Sequence, residues 1–438
     1  MSFLSNLSLI SILMFIVIKW IRRRVSLKIP PGPYSWPMIG NFLQIGKDPH
    51  IKLTSMARTY GPIMSLKLGS WLVVVGHISY THPASSPNLN RYWVGFAKEC
   101  NDQWKYLRSI CRAKLFSSKV LDCQAKIRET NVIKMMNYLH AREGKIVNMS
   151  EVTSNVVLNT MSEILFSRGI FKLGPEFQRL IRKFLDLLVT PNMADLFPIM
   201  QGWDIQGMQK KVREINEKIF KMWEQILVER REKKRKGIRA QVDFLDTLLD
   251  IGLGTDMTST TIIWALADLI KNKHIMSKLR DELTSKIGYN KIISEYEITN
   301  LPLHPPLPLL LPHKAIKTCK VMDYTIPKGS QVIINMWAMA HNSSIWDDPS
   351  SFKPERFLDS GVDFKGNDFE YIPFGSGRRM CPGLPMAARK VPYVVACLVH
   401  SFNGFLPGYK DPSEMDMDEV YVLALKMKQP LELIPKSL

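Results

Sequence analysis

No two of the six cysteines in this 438-residue chain are spaced as Cys-x-x-Cys; Cys100, Cys111, Cys123, Cys319, Cys381 and Cys397 are scattered singly. That leaves no zinc-ribbon spacing and no disulfide framework of the secreted kind, and it fits a reducing compartment. Negative charge is also in short supply: 40 acidic residues stand against 59 basic ones, a formal net charge of +19. Such a surplus favours an acidic partner, whether nucleic acid, anionic lipid or an acidic protein face. Because no RNA-binding signature and no basic-aromatic stripe accompanies the charge, nucleic acid is set aside. No internal repeat is present, which argues against a solenoid or propeller. Long hydrophobic runs are confined to the start of the chain.

There, Phe3 to Ile21 is almost wholly apolar, broken only by serines, Asn6 and Lys19, and it ends on Arg22-Arg23-Arg24. A helix of roughly 18–20 such residues spans a bilayer, with its basic flank on the cytoplasmic side. A cleaved leader would carry its charge before the apolar run; here the order is reversed. Residues 1–24 are therefore expected to be a membrane anchor with the rest of the chain in the cytosol. Pro30-Pro31-Gly32-Pro33 and Pro37-Met38-Ile39-Gly40-Asn41 follow. Three prolines within four residues cannot be helix interior, so 25–41 reads as a stiff extended hinge.

Beyond the hinge, Ile63 to Val75 carries short alternating and apolar runs of a small sheet. Most of Glu99 to Lys286 has helical spacing, clearest at Trp104–Phe116, Val152–Phe166 and Val212–Val228. The charge run Glu229–Lys236 reads as the exposed end of the last of these. Ser330–Trp337 reads as a strand, and Val420–Pro435 as a strand pair. The fold class reads as mainly α with small β-sheets, with residues 42–438 forming one domain.

The chemistry concentrates in Phe374-Gly-Ser-Gly-Arg-Arg-Met-Cys-Pro-Gly383. A thiolate that binds metal and resists oxidation needs backbone N–H groups supplied by a glycine-rich turn, an aromatic cover such as Phe374, and the positive end of a following helix. Pro382 suits the start of that helix, and Pro385–Ser401 has the apolar spacing to continue it. The pattern Phe374-x-x-Gly377-x-Arg379-x-Cys381-x-Gly383 resembles the haem loop of the cytochrome P450 family at every defining position, and similarity in kind extends over nearly the whole chain. The resemblance implies haem b as cofactor, Cys381 as axial thiolate ligand of the iron, and Arg379 on a haem propionate. It implies the same for Trp104 and Arg108, one helical turn apart in Trp104-x-x-x-Arg108, and for His313 in Leu309-Leu-Leu-Pro-His. Pro354-Glu355-Arg356-Phe357 matches the segment whose arginine joins a structural ion-pair network.

Gly254-Thr-Asp-Met-Thr-Ser259 resembles the oxygen-activating stretch of the family's long central helix, with Asp256 at the acid position. Three departures stand beside these matches. Met257 replaces the hydroxyl residue that should follow the acid, and a thioether donates no proton. Thr258 lies about 100° further round a helix and is no simple substitute. The family's Glu-x-x-Arg helix is missing where Leu301-Pro-Leu303 runs into His304-Pro-Pro306, the literal match Glu232-x-x-Arg235 lying inside the charge run. Arg356 is thereby expected to be an uncompensated charge, at a cost of roughly 3–5 kcal/mol. Finally, the chain looks shortened before Gly254 and across Gly76–Tyr92, as if blocks had been excised by mis-joining, splicing or gene decay.

The implied reaction is monooxygenation of a small lipophilic substrate at the endoplasmic reticulum membrane, with electrons from NADPH-cytochrome P450 reductase. Residues 191–198, 204–207 and 363–384 resemble hydroxylases of plant specialised metabolism. Trp104–Phe116 and Ala141–Gly144 lean toward the group acting on benzylisoquinoline alkaloids, with geraniol-hydroxylase-like terpenoid enzymes as runner-up. Two other readings remain: a haem-thiolate isomerase or dehydratase that uses no dioxygen, suggested by Met257, and an inert tethered relic, suggested by the missing Glu-x-x-Arg.

Overall fold

A computed structural model describes residues 28–76, 100–166, 204–235, 248–287 and 305–438, apart from positions 38, 70, 205, 358, 359, 422 and 423, together with isolated positions between 176 and 187. In chain order its main elements begin with α1 (Pro49–Tyr60), β1 (Met64–Leu68), β2 (Trp71–Gly76), α2 (Asp102–Lys114), α3 (Ala125–His140), β3 (Val147–Asn148) and α4 (Met149–Phe166). They continue with α5 (Met208–Arg235), α6 (Leu248–Lys271), α7 (Lys273–Ile287), β4 (His313–Lys314), β5 (Cys319–Val321), β6 (Tyr324–Ile326) and β7 (Gln331–Ile334). Last come α8 (Leu384–Ser401), β8 (Phe402–Phe405), β9 (Glu419–Tyr421), β10 (Leu425–Met427) and β11 (Glu432–Ser437). Mainly helical with small sheets, the architecture is the one expected. The expected anchor 1–24, the junction 301–304 and nearly all of the stretch 76–92 expected to be shortened lie outside the described residues. Among the described residues no helix is long and apolar enough to cross a membrane.

The chain divides into two compact units. The smaller holds the described residues up to Gly76 together with Leu309–Asn335. Its sheet runs β1-β2-β7-β4, with β2 parallel to β7 and the other pairs antiparallel. Val73, Val74 and Val75 are all buried, which explains why β2 reads as a continuous apolar run and not an alternating one. The proline segment lies extended along β1: Ser65 donates its N–H to Pro31 O at 2.7 Å and its hydroxyl to Pro30 O at 2.7 Å. A Cβ on Gly32 would stand 1.8 Å from Ser65 O, so only glycine admits this approach. The expected strand 330–337 is shorter than expected. Asn335 turns its amide to His50 O and Thr54 Oγ1, at 3.1 and 2.9 Å, and closes the strand; a short helix, Met336–Ala340, follows.

In the larger unit, α6 packs against α4, α8 and α7. Ile262, Trp264 and Ala267 of α6 and Val394, Val395 and Val399 of α8 are almost wholly buried. Both helices are apolar on most sides from these residues onward, as central helices must be. A second sheet, β3-β11-β8, and the hairpin β9-β10 complete this unit and account for the strand pattern expected at the C-terminus.

The expectation for Arg356 is corrected. Its guanidinium donates to the carbonyls of Lys353, Asp348 and Ser351 at 3.1, 3.1 and 2.8 Å. The turn holding it, Pro354–Phe357, is pinned by the rings of Trp346, Phe357 and Tyr371, with centroids 5.0–6.2 Å apart. Carbonyl dipoles take the place of the missing ion-pair partners, so the charge is not stranded.

Candidate functional site

The cysteine turn is built from its backbone upward. Gly375 and Gly377 have φ of 70° and 68°, the left-handed region open to glycine at no steric cost. These two reversals let Gly375 N–H reach Ile372 O at 2.9 Å, Met380 N–H reach Gly377 O at 3.1 Å, and Cys381 N–H reach Phe374 O at 2.9 Å. The turn is therefore closed on itself by its own backbone, Phe374 supplying the acceptor for the cysteine. Gly366 braces it from outside: its carbonyl accepts the Ser376 hydroxyl at 2.6 Å, and a Cβ there would press on Gly375 O at 2.9 Å. The Phe374 ring packs at 6.0 Å from that of Phe364.

Helix α8 starts at Leu384, two residues later than Pro382 suggested. Gly383 is its cap, with Met386 N–H and Ala387 N–H on its carbonyl at 3.1 and 3.0 Å, and Pro385 sits in the first turn. Cys381 is exposed and its Sγ lies 3.7 Å from where a Gly383 Cβ would stand. The sulfur thus sits at the mouth of a glycine-lined turn. Cys397 is the contrast: buried in α8, its thiol is pushed up to about 12 by desolvation and stays neutral.

Two arginines converge on one indole beside this turn. Asn101 caps α2 by accepting Trp104 N–H at 2.9 Å, which sets the register that buries Trp104. Arg108, one turn on, lies 5.3 Å from the Trp104 ring, and Arg379 from the cysteine turn lies 5.0 Å from it. Arg108 also donates to Met380 O at 2.6 Å, tying α2 to the residue before Cys381. Burial holds the Arg108 pKa below its usual value; the Cys381 and Cys111 sulfurs act against that and the Arg379 charge adds to it.

The remaining expected residues sit elsewhere. Asp256 and Thr258 are on α6, and the Asp256 carboxylate forms an ion pair with Lys426 of β10 at 2.7 Å. Thr261 donates its hydroxyl to Met257 O at 2.9 Å. His313 is on β4 in the smaller unit, paired with Val332. Sequence reasoning missed Lys426, Gly366 and the Met380 carbonyl. Met380 occupies a variable position of the cysteine loop and Gly366 lies ten residues before its partner Ser376, while Lys426 and the Met380 carbonyl act through contacts between segments distant in the chain.

An exposed cysteine at the mouth of such a turn stands beside two guanidiniums gathered on one tryptophan, an arrangement suited to an anionic group. The Cytochrome P450 family profile matches residues 30–252 and 250–433. The chain is 37% identical over 458 aligned residues to (S)-N-methylcoclaurine 3'-hydroxylase isozyme 1 of Papaver somniferum, covering 93% of this chain and 95% of that protein. It is 37% identical to corytuberine synthase of Coptis japonica, with 93% and 94% covered, and 33% identical to carnosic acid synthase of Rosmarinus officinalis, with 93% of each. The chain belongs to the cytochrome P450 family and is an enzyme of that haem-thiolate class. Family members hold haem b through a cysteine thiolate. The residues present fit that group: Arg108 and Arg379 repel one another and together call for an anionic partner, which haem carboxylates would supply beside the exposed sulfur.

Proposed function

We propose that the protein is a haem-thiolate monooxygenase that hydroxylates a lipophilic plant specialised metabolite, with Cys381 as the iron ligand and residues 42–438 as its catalytic domain. The observation that carries this reading is the convergence of Trp104, Arg108 and Arg379 on the Cys381 turn. Arg108 and Arg379 would pair with the propionates and Trp104 would order both guanidiniums, while His313 is assigned to the same role on the family resemblance alone. Phe374, packed on Phe364, would cover the sulfur when haem is bound, and Gly383, capping α8, leaves room beside it. When bound, haem supplies an iron that activates dioxygen, so that one oxygen atom enters the substrate and the other leaves as water.

Asp256 is proposed to hold and pass the protons this reaction consumes, with Thr258 as the nearest hydroxyl after Met257. A benzylisoquinoline alkaloid is the favoured substrate class, supported by relatives named for N-methylcoclaurine hydroxylation at 37–39% identity. A monoterpenoid is the second. NADPH-cytochrome P450 reductase is the proposed electron donor, its acidic face drawn to a surface of net charge +19. Residues 1–24 are proposed to anchor the chain in the endoplasmic reticulum membrane. The shortfall around 301–304 is proposed to be tolerated, because Arg356 has the carbonyl partners it needs.

The test is the ferrous–carbon monoxide difference spectrum of the full 438-residue chain. A red-shifted Soret band of the thiolate type is expected. An unshifted band, or no haem, would favour the inert relic. Turnover of a hydroperoxide or alcohol without reductase would favour the isomerase or dehydratase reading.

A further inference from the structure

The Asp256 carboxylate is not left to solvent. Lys426 Nζ meets Asp256 Oδ1 at 2.7 Å, with the aspartate side chain 20% and the lysine side chain 42% exposed. The lysine comes from the C-terminal hairpin, and the hairpin is fixed to the same helix that carries the acid. Trp264, wholly buried on α6, donates its indole N–H to Leu425 O at 2.6 Å. Leu425 is itself buried, so the alternation along β10 sends Lys426 to the opposite side from it. Across the hairpin Lys426 pairs in register with Val420, and Lys428 closes it through Asp418, N–H to O and Nζ to Oδ2 both at 2.8 Å. Sliding β10 would break all of these bonds, so the ammonium is delivered to one place on α6.

Asp256 is the only carboxylate in the stretch 254–259, and its following neighbour Met257 has no proton to give. The direction in which that one carboxylate points therefore matters more here than it would beside a hydroxyl. We infer that Lys426 is a positioning residue for Asp256, holding its carboxylate in the orientation from which it passes protons during turnover. The inference rests on the proposed monooxygenase reading. It assigns to the C-terminal hairpin a role in coupling electrons to product that no motif in the chain announces.

The test uses the full chain with reductase in four variants: Lys426→Met, Lys426→Arg, Asp256→Asn and the Lys426→Met/Asp256→Asn double. Product formed per NADPH consumed, peroxide released, the substrate dissociation constant and the melting temperature are measured for each. Lys426→Met is expected to lower product per NADPH by about threefold or more, with peroxide rising to match. Lys426→Arg is expected to stay within about twofold of the parent, since it keeps the cation. The double variant is expected to lose no more than Asp256→Asn alone. The substrate dissociation constant and the thiolate carbon monoxide band are expected to be unchanged in Lys426→Met.

Unchanged coupling in Lys426→Met overturns the inference, as does an equal loss in Lys426→Arg or weaker substrate binding that accounts for the loss. If the parent chain itself lacks the thiolate band, the monooxygenase reading fails and the melting temperatures decide the pairing. Additive changes in the double variant then overturn the inference, whereas non-additivity of about 1–2 °C upholds the placement.

Discussion

The Cys381 turn and the acid-bearing stretch of α6 are both short, motif-like segments, yet they are determined in different ways. Residues 372–383 close on themselves through two left-handed glycines and three backbone hydrogen bonds, with Arg108 and Gly366 bracing the turn from outside. The stretch 254–259 is ordinary helix, and its acid is ion-paired with Lys426, which arrives on a hairpin near the other end of the chain. A backbone-built site keeps its geometry through sequence change around it. A side-chain-built one changes character when a single distant partner changes. The chain resembles its family at every defining position of the cysteine loop and departs from it at Met257.

The comparison breaks most completely at Cys381. Cys381→Ser leaves the glycine reversals and the backbone bonds in place, because the Cys381 N–H and not its sulfur closes the turn. The variant is expected to fold with nearly unchanged helix content and to lose the thiolate-type carbon monoxide band and all NADPH-dependent product. A thiolate-type band surviving in Cys381→Ser would remove Cys381 from the proposed ligand role.

Arg356 tests the smaller effect of carbonyl dipoles standing in for an ion-pair network. Arg356→Leu strips three backbone acceptors of their shared donor. A loss of about 2 kcal/mol is expected, a fall in melting temperature of about 2–3 °C, and Arg356→Lys should recover only part of it because one ammonium cannot reach all three. A melting temperature that does not move in Arg356→Leu would mean that the cage contributes nothing.

How much of this was legible beforehand follows the same division. Local determinants were readable: the apolar run of β2, the proline segment that cannot be helix, the glycine turn, and Trp104 with Arg108 one turn apart. Their signals lie within a few residues of where they act. The fate of Arg356 is not legible in the sequence, because its acceptors are backbone carbonyls, which every residue has and no sequence pattern marks. Lys426 was invisible for a related reason. It is one of 59 basic residues, and only the pairing of β10 with β9 and its attachment to Trp264 single it out. The strand at 330–337 was overextended because Asn335, which ends it, does so through side-chain bonds to α1.

Met257 carries the smallest effect and sharpens the comparison most. It sits directly after Asp256 on α6, half-buried, and its carbonyl already accepts the Thr261 hydroxyl, so the backbone there is fixed whatever the side chain. Met257→Thr places a hydroxyl beside the acid that Lys426 holds. A β-branched residue in helix costs a few tenths of a kcal/mol, so the melting temperature should fall by no more than about 1–2 °C. Product per NADPH is expected to rise by about twofold and peroxide release to fall, because a donor now stands where a thioether stood. In Met257→Thr with Lys426→Met together, the gain should shrink, since the new hydroxyl would face an acid no longer held in place. Peroxide release that stays at the parent level in Met257→Thr would show that the hydroxyl position does not limit proton supply in this chain, and would locate the limit at Asp256 and its lysine.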